Sequence, residues 1–248
     1  MENTSTPPVL ATQGISKCYG SVRAVSNVSV EIGAGETVAL VGDNGAGKST
    51  LIKLMCGVLE PDEGFVYVDG VPVAFQNPRE ARARGVAVVY QDLALANNLT
   101  VAENVFLGSI PTRWGQVDRR RMERETEEVL RNLAINVPSV TAQPENLSGG
   151  QRQAVAIARA LHEGGRILIL DEPTAALGVQ EAQNVLRIIE DLSRRSISIV
   201  VVSHNLEHVF GVADRILVMR GGRVVASLVT RETTKSEVVH LIVGAISS

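Results

Sequence analysis

The chain has 248 residues, 45% of them apolar but only 3% aromatic, and a formal net charge of −3. That length suits one large α/β domain, with a core that must be built from Val, Ile, Leu and Ala. The acidic balance argues against non-specific nucleic-acid binding, which needs a strong positive field. The two cysteines, Cys18 and Cys56, lie in unrelated contexts and form no metal-spaced pair, as in a reduced cytoplasmic protein.

Met1 to Pro8 is polar, lacks an apolar stretch and a basic cluster, and reads as a disordered lead rather than a signal peptide. No run approaches the roughly 20 apolar residues of a membrane helix, so a membrane role must come through a partner. From Val9 to Ile32 the pattern is β-like, with Val28, Val30 and Ile32 alternating against Ser29 and Glu31. Thr37–Val41 reads as a buried parallel strand. A Gly-rich loop follows, then a helix from Lys48 to Cys56, stopped by Gly57. Gly64–Val68 and Val71–Val73 flank an Asp69-Gly70 hairpin signal. Arg79–Arg84 suggests a short basic helix and Val86–Tyr90 another strand.

Between about 97 and 145 strand signals vanish and charge rises. Met122, Thr126, Val129, Leu130 and Leu133 share one helical face behind Asp118, a natural N-cap. Pro138 and Pro144 mark the exit loop. Alternation then resumes with a strand at Ile167–Leu170, a helix at Glu181–Leu192, a strand at Ile197–Val202 and a helix at Asn205–Val212. Ile216–Met219 and Arg223–Ser227 read as a hairpin around Gly221-Gly222. Repeated strand–helix units imply a parallel sheet covered on both faces.

Gly42-Asp43-Asn44-Gly45-Ala46-Gly47-Lys48-Ser49-Thr50 fits G-x-x-x-x-G-K-[ST], directly after a strand and opening a helix. Glycines let backbone N–H groups turn around phosphates, and the helix N-terminus adds its positive end. Lys48 places a point charge on the outer phosphates, and Ser49 offers a hydroxyl to Mg²⁺. Ile167–Leu170 ends in Asp171, which a buried strand delivers to the sheet edge as a Mg²⁺ ligand. Glu172 follows at once, placed to polarise an attacking water. Leu147-Ser148-Gly149-Gly150-Gln151 opens a further helix. Ser148 and Gln151 alone satisfy a capping box.

Together, in this order, these motifs resemble the ABC ATPase family over residues 9 to 228. The fold implied is α/β: a P-loop NTPase with a mostly parallel core sheet, an N-terminal antiparallel β subdomain and a helical signature subdomain at about 97–160. Residues 229–248 are then a short C-terminal extension, with no room for a further regulatory domain. The resemblance identifies Tyr19 with the aromatic that stacks on adenine. It likens Gln91 to a glutamine that touches Mg²⁺ and His204 to a switch histidine that orients Glu172. It also implies an ATP-dependent homodimer in which Leu147, Ser148, Gly149, Gly150 and Gln151 of one chain meet the ATP of the other.

The wording of Gly42–Leu54, Val86–Gly108 and Asp171–Val179 resembles ATPases of bacterial monosaccharide importers for ribose, xylose or fructose, of the short single-copy type. Among these sugars fructose is the first expectation. An integral membrane permease, indirectly a sugar-binding protein, and a peripheral place on the cytoplasmic membrane face are implied. Leu93, Leu95 and Leu99 are candidates to receive a permease helix or to pack inside the helical subdomain. One departure stands out: the family's usual Ser-Ala-Leu-Asp reads Ala175-Ala176-Leu177-Gly178, without the carboxylate that makes a contact across the dimer. The rival readings are a soluble ABC ATPase acting on nucleic acid or ribosomes, and a non-hydrolytic nucleotide-dependent interaction module.

Overall fold

A computed structural model of the chain describes residues 7–244. The lead expected over 1–8 therefore falls, for residues 1–6, outside the described residues. The chain begins with two long strands, β1 (Leu10–Tyr19) and β2 (Val22–Ile32), paired antiparallel across a tight turn that sets Tyr19 opposite Val22. β3 (Thr37–Val41) is wholly buried and runs into helix α1 (Lys48–Met55). β4 (Glu63–Val68) and β5 (Val71–Val73) form the expected hairpin; Asp69 and Gly70 both take positive φ, as a two-residue turn of this hand requires. β4 returns beside β1, which closes a four-stranded antiparallel sheet in the order β2-β1-β4-β5.

α2 (Pro78–Ala83) starts where Asn77 accepts hydrogen bonds from the Arg79 and Glu80 N–H groups, with Pro78 at its first position. β6 (Val86–Val89) enters the second sheet. α3 (Val101–Val105) carries a capping box between Thr100 and Glu103. Next comes a small hairpin, β7 (Thr112–Arg113) and β8 (Gln116–Val117), in the stretch where no strand was expected. α4 (Arg119–Asn132) begins at Asp118, whose side chain accepts from the Arg121 N–H, and it buries Met122, Thr126 and Leu130 on the anticipated face. α5 (Gly149–His162) leads to β9 (Ile167–Asp171), α6 (Val179–Arg194) and β10 (Ser198–Val202). α7 (Leu206–Val212), β11 (Arg215–Arg220) and β12 (Arg223–Val229) follow. The extension then forms α8 (Lys235–Val243), a helix the sequence reading did not anticipate, which buries Val238 in a cluster with Ile216 and Val218 of β11.

The second sheet runs β12-β11-β3-β10-β9-β6, with every pair parallel except β11 with β12. Strand alternation decides which core each residue feeds. Ile167, Ile169, Val200 and Val202 join α1 and the antiparallel sheet, whereas Leu168, Leu170, Ile199 and Val201 join α5, α6 and the helical segment. Both faces of the parallel sheet are thus dry, which explains why its strands read as unbroken apolar runs. Shortening a fully buried side chain here, such as Leu168, carries the usual cost of about 2–5 kcal/mol.

Candidate functional site

The parallel register aligns the strand ends. Val202 pairs with Leu40 on one side and with Asp171 on the other, and Val89 pairs with Leu170. The segments that leave β3, β10, β9 and β6 therefore emerge side by side at one sheet edge. They are the phosphate loop, the His204 turn, Asp171-Glu172 and Gln91. Sites in open α/β sheets form at this edge.

The loop wraps tightly. A Cβ on Gly42 would stand 2.2 Å from the Met219 carbonyl oxygen, and one on Gly47 2.3 Å from that of Ala24. Both glycines have positive φ, so space and backbone conformation demand the same residue. Gly47 opens α1 with no side-chain cap, which leaves the first N–H groups of the helix to face the loop. Lys48 Nζ is held inside the loop by the carbonyls of Gly42 (2.7 Å) and Asp43 (2.9 Å). A cleft of about 330 Å³ is lined by Tyr19, Ala24 and residues 44–50, so the exposed Tyr19 ring and the phosphate loop share one cleft.

Asp171 is half-buried. Burial first, and the neighbouring Glu172 second, push its carboxyl above the usual carboxylate range, against the opposing pull of Lys48 and Lys53. Glu172 adopts φ 50°, a left-handed conformation that costs a bulky L-residue of order 1–3 kcal/mol. The turn is pinned by the Glu172 N–H donating to the Val202 carbonyl at 2.9 Å. It brings Glu172 Oε1 to 2.9 Å from His204 Nδ1. An ionised carboxylate can only accept, so the shared hydrogen sits on Nδ1. Gln91 is exposed beyond β6.

Ser148 to Gln151 begin α5 as a complete capping box: the Ser148 Oγ accepts from the Gln151 N–H, and Gln151 Oε1 accepts from the Ser148 N–H. Leu147 is buried beneath it. The glycines let α5 and the segment entering α6 meet closely, since a Cβ on Gly149 would lie 2.6 Å from Leu177 Cδ2. Ser148, Gly150 and Gln151 line a cleft other than the one that holds Tyr19 and Lys48.

A family model described as ABC transporter matches residues 25–175, more than half of the chain. The chain belongs to the ABC transporter family. It is 43% identical to a fructose import ATP-binding protein of Rhizobium meliloti, over 96% of this chain and 95% of that protein. A xylose/arabinose import ATP-binding protein of Sulfolobus acidocaldarius is 40% identical, over 94% and 93% of the two chains. A ribose import ATP-binding protein of Rubrobacter xylanophilus is 46% identical, and this chain spans 46% of its length. Among solved structures, a dimeric ATP-binding cassette in a post-hydrolysis state with ADP and phosphate superposes with a TM-score of 0.77 at 29% identity, over 90% of this chain and all of that one. A nucleotide-free cassette gives 0.83 at 26% identity, over 94% and 98%. The chain is therefore an ATPase of the ABC type.

Two features of this ABC ATPase were not singled out in the sequence. Glu181, near the start of α6, reaches back to the signature: the Ser148 hydroxyl, then the N–H groups of Gly178, Gly150 and Gly149, hold its carboxyl below the usual range. Its Oε2 accepts from the Gly178 N–H at 3.2 Å, which gives the Asp-lacking Gly178 a role as backbone cap. The Gly178-Val179-Gln180-Glu181 spacing is a capping pattern that could have flagged it. The second feature is His208, whose Nδ1 lies 2.9 Å from Thr174 Oγ1 while Asn205 Nδ2 stands 3.4 Å from its Nε2. It ties the segment after Glu172 to the turn that carries His204. As for the apolar trio after Gln91, Leu93 and Leu95 pack against the helical core and Arg159 holds the Leu93 and Ala94 carbonyls, so for these two the interior reading is the structural one.

Proposed function

We propose that this chain is the ATP-hydrolysing subunit that powers import of a monosaccharide through a membrane permease, acting as an ATP-dependent homodimer at the cytoplasmic membrane face. The observation that carries the reading is the meeting of the phosphate loop, Asp171, the Glu172–His204 pair and Gln91 at one sheet edge. The sugar-import names of the full-length relatives support the transport half, with fructose first, and the dimeric cassette among the structural neighbours supports the pairing. Among the described residues no helix is long and apolar enough to cross a membrane, in keeping with a separate permease.

In this reading adenine stacks on Tyr19, and residues 42–50 wrap the phosphates. Lys48 moves from the Gly42 and Asp43 carbonyls to the outer phosphates. Ser49, Gln91 and Asp171 supply only oxygen donors, which suits Mg²⁺. Among the described residues no group of three His, Cys, Asp or Glu side chains could hold a metal alone, so the nucleotide's own phosphates would complete the set. Mg²⁺ would supply charge neutralisation of the phosphates. Glu172 takes the proton of the attacking water, and His204 orients it and faces the γ-phosphate. Ser148, Gly149 and Gly150 present a hydroxyl, N–H groups and a helix start to the ATP of the other chain.

Tyr19→Ala is expected to weaken ATP and ADP binding equally, by the roughly 1–3 kcal/mol of a base–aromatic stack. Unequal losses in calorimetry would place Tyr19 against the phosphates instead. The transport reading is tested by reconstituting the chain with the permease that co-purifies with it, plus a binding protein, in vesicles. ATP-dependent uptake of labelled fructose, ribose or xylose is the expected result. Vesicles that hydrolyse ATP but take up none of these sugars, or that take up another class of solute, would overturn it.

A further inference from the structure

The chain's only tryptophan, Trp114, is 91% exposed. It stands at the tip of the β7–β8 hairpin, where Trp114 and Gly115 form the two-residue turn with φ 59° and 80°. A large aromatic in that conformation contributes nothing to the core and strains its own backbone. Around it, Arg113, Arg119 and Arg120 line one shallow hollow of about 390 Å³ together with Val117 and Asp118. Asp118 is occupied as the cap of α4. Among the described residues Arg113 and Arg120 have no ion-pair partner, and Arg119 meets Glu103 only at 3.7 Å. Three consecutive arginines also open α4, whose first turn holds no acidic residue; Arg121 is paired with Glu125, while Arg119 and Arg120 add charge to the positive end of the helix. On a chain of net charge −3 this is a concentrated local excess of cation.

We infer that the β7–β8 hairpin docks on the anionic headgroups of a lipid bilayer, with Trp114 seated at the interface and Arg113, Arg119 and Arg120 on lipid phosphates. The apolar part is a point rather than a face. Trp114 and Val117 project from a surface of arginines, which suits insertion between headgroups better than a protein interface, for which about 800 Å² per partner is usual. Tryptophan prefers the headgroup level, and clustered arginines are drawn to anionic lipid. The contact orients a subunit that its permease already holds near the membrane, so it works at high effective concentration and can be individually weak. The inference goes beyond the import reading, and its expected result is read without sugar or permease, the permease entering only as a control.

The full chain is titrated at low salt with vesicles of phosphatidylcholine alone and of phosphatidylcholine mixed with phosphatidylglycerol, reading the single tryptophan. A blue shift with the mixed vesicles only, quenched by brominated lipid and reversed by high salt, is the expected result. Removing Arg113 and Arg120 as glutamines should lower the partition coefficient about 25-fold, at about fivefold per arginine. Retained ATP binding shows that the variant is folded, and the brominated-lipid quenching of the unaltered chain stands without it. An unshifted spectrum with anionic vesicles, an equal shift with neutral ones, or a shift that appears only when a permease is in the bilayer would overturn the inference, the last by assigning the hairpin to a protein partner. Inorganic phosphate at the same concentration should leave the spectrum unchanged; if it reproduces the shift, the hollow is an anion site and not a lipid contact.

Discussion

Lys48→Ala is expected to abolish measurable ATP binding while leaving the fold intact. Among residues 42–50 Lys48 is the only cation, and its stem already passes through the loop to the Gly42 and Asp43 carbonyls. Placed about 4 Å from a phosphate charge at an effective dielectric near 20, such a cation is worth about 4 kcal/mol. That corresponds to about 10³-fold in affinity. The loop itself should survive, because Gly42 and Gly47 are fitted to the backbone of Met219 and Ala24 rather than to the lysine. Calorimetry with ATP and thermal unfolding without it separate the two effects. Near-normal affinity in a folded variant would show that the phosphates lie elsewhere.

The parts of this architecture that the sequence made legible are those governed by short-range rules. The strands of the parallel sheet are apolar runs because both faces are dry, and Asp118 and Gly57 punctuate helices through a local hydrogen bond and a positive φ. The β7–β8 hairpin escaped because each strand is two residues long and its turn is Trp-Gly rather than the usual Asn-Gly or Asp-Gly. α8 escaped because the exposed Val239 and Val243 blur the i, i+3, i+4 spacing of Val238, Leu241 and Ile242, which pack into one cluster. For the site, the motifs identified the loop, Asp171-Glu172 and the signature, but not their arrangement. Tyr19 and Lys48 share a cleft because β1 and β2 fold over the loop, and Gln91 joins the edge only through the non-sequential order β3-β10-β9-β6. The Thr174–His208 and Ser148–Glu181 contacts join residues more than 30 positions apart, beyond the reach of any local pattern.

That arrangement also governs the effect of removing the charge of Glu172. Glutamine keeps the length and much of the hydrogen bonding of Glu172 but cannot accept a proton from water, so turnover should fall by roughly 10²–10⁴, the usual worth of a positioned general base. Binding of Mg-ATP should survive, since Lys48, Ser49, Gln91 and Asp171 are untouched. The strained turn is retained as well, because the φ of 50° is held by the backbone bond to Val202 and not by the carboxylate. ATP that binds but is not cleaved should then hold two chains together, the loop of one against Ser148, Gly149 and Gly150 of the other. Those donors face Glu181 within their own chain, and Ser148 and Gly150 line a separate cleft from Lys48, so a single copy offers them no phosphate. Adding Ser148→Arg should abolish the trapped dimer by setting a bulky cation where the hydroxyl was. Light scattering behind size-exclusion chromatography in Mg-ATP reads both outcomes. Wild-type turnover in Glu172→Gln would remove Glu172 from the chemistry. A dimer that persists in the double variant would show that the signature is not the second wall of the site.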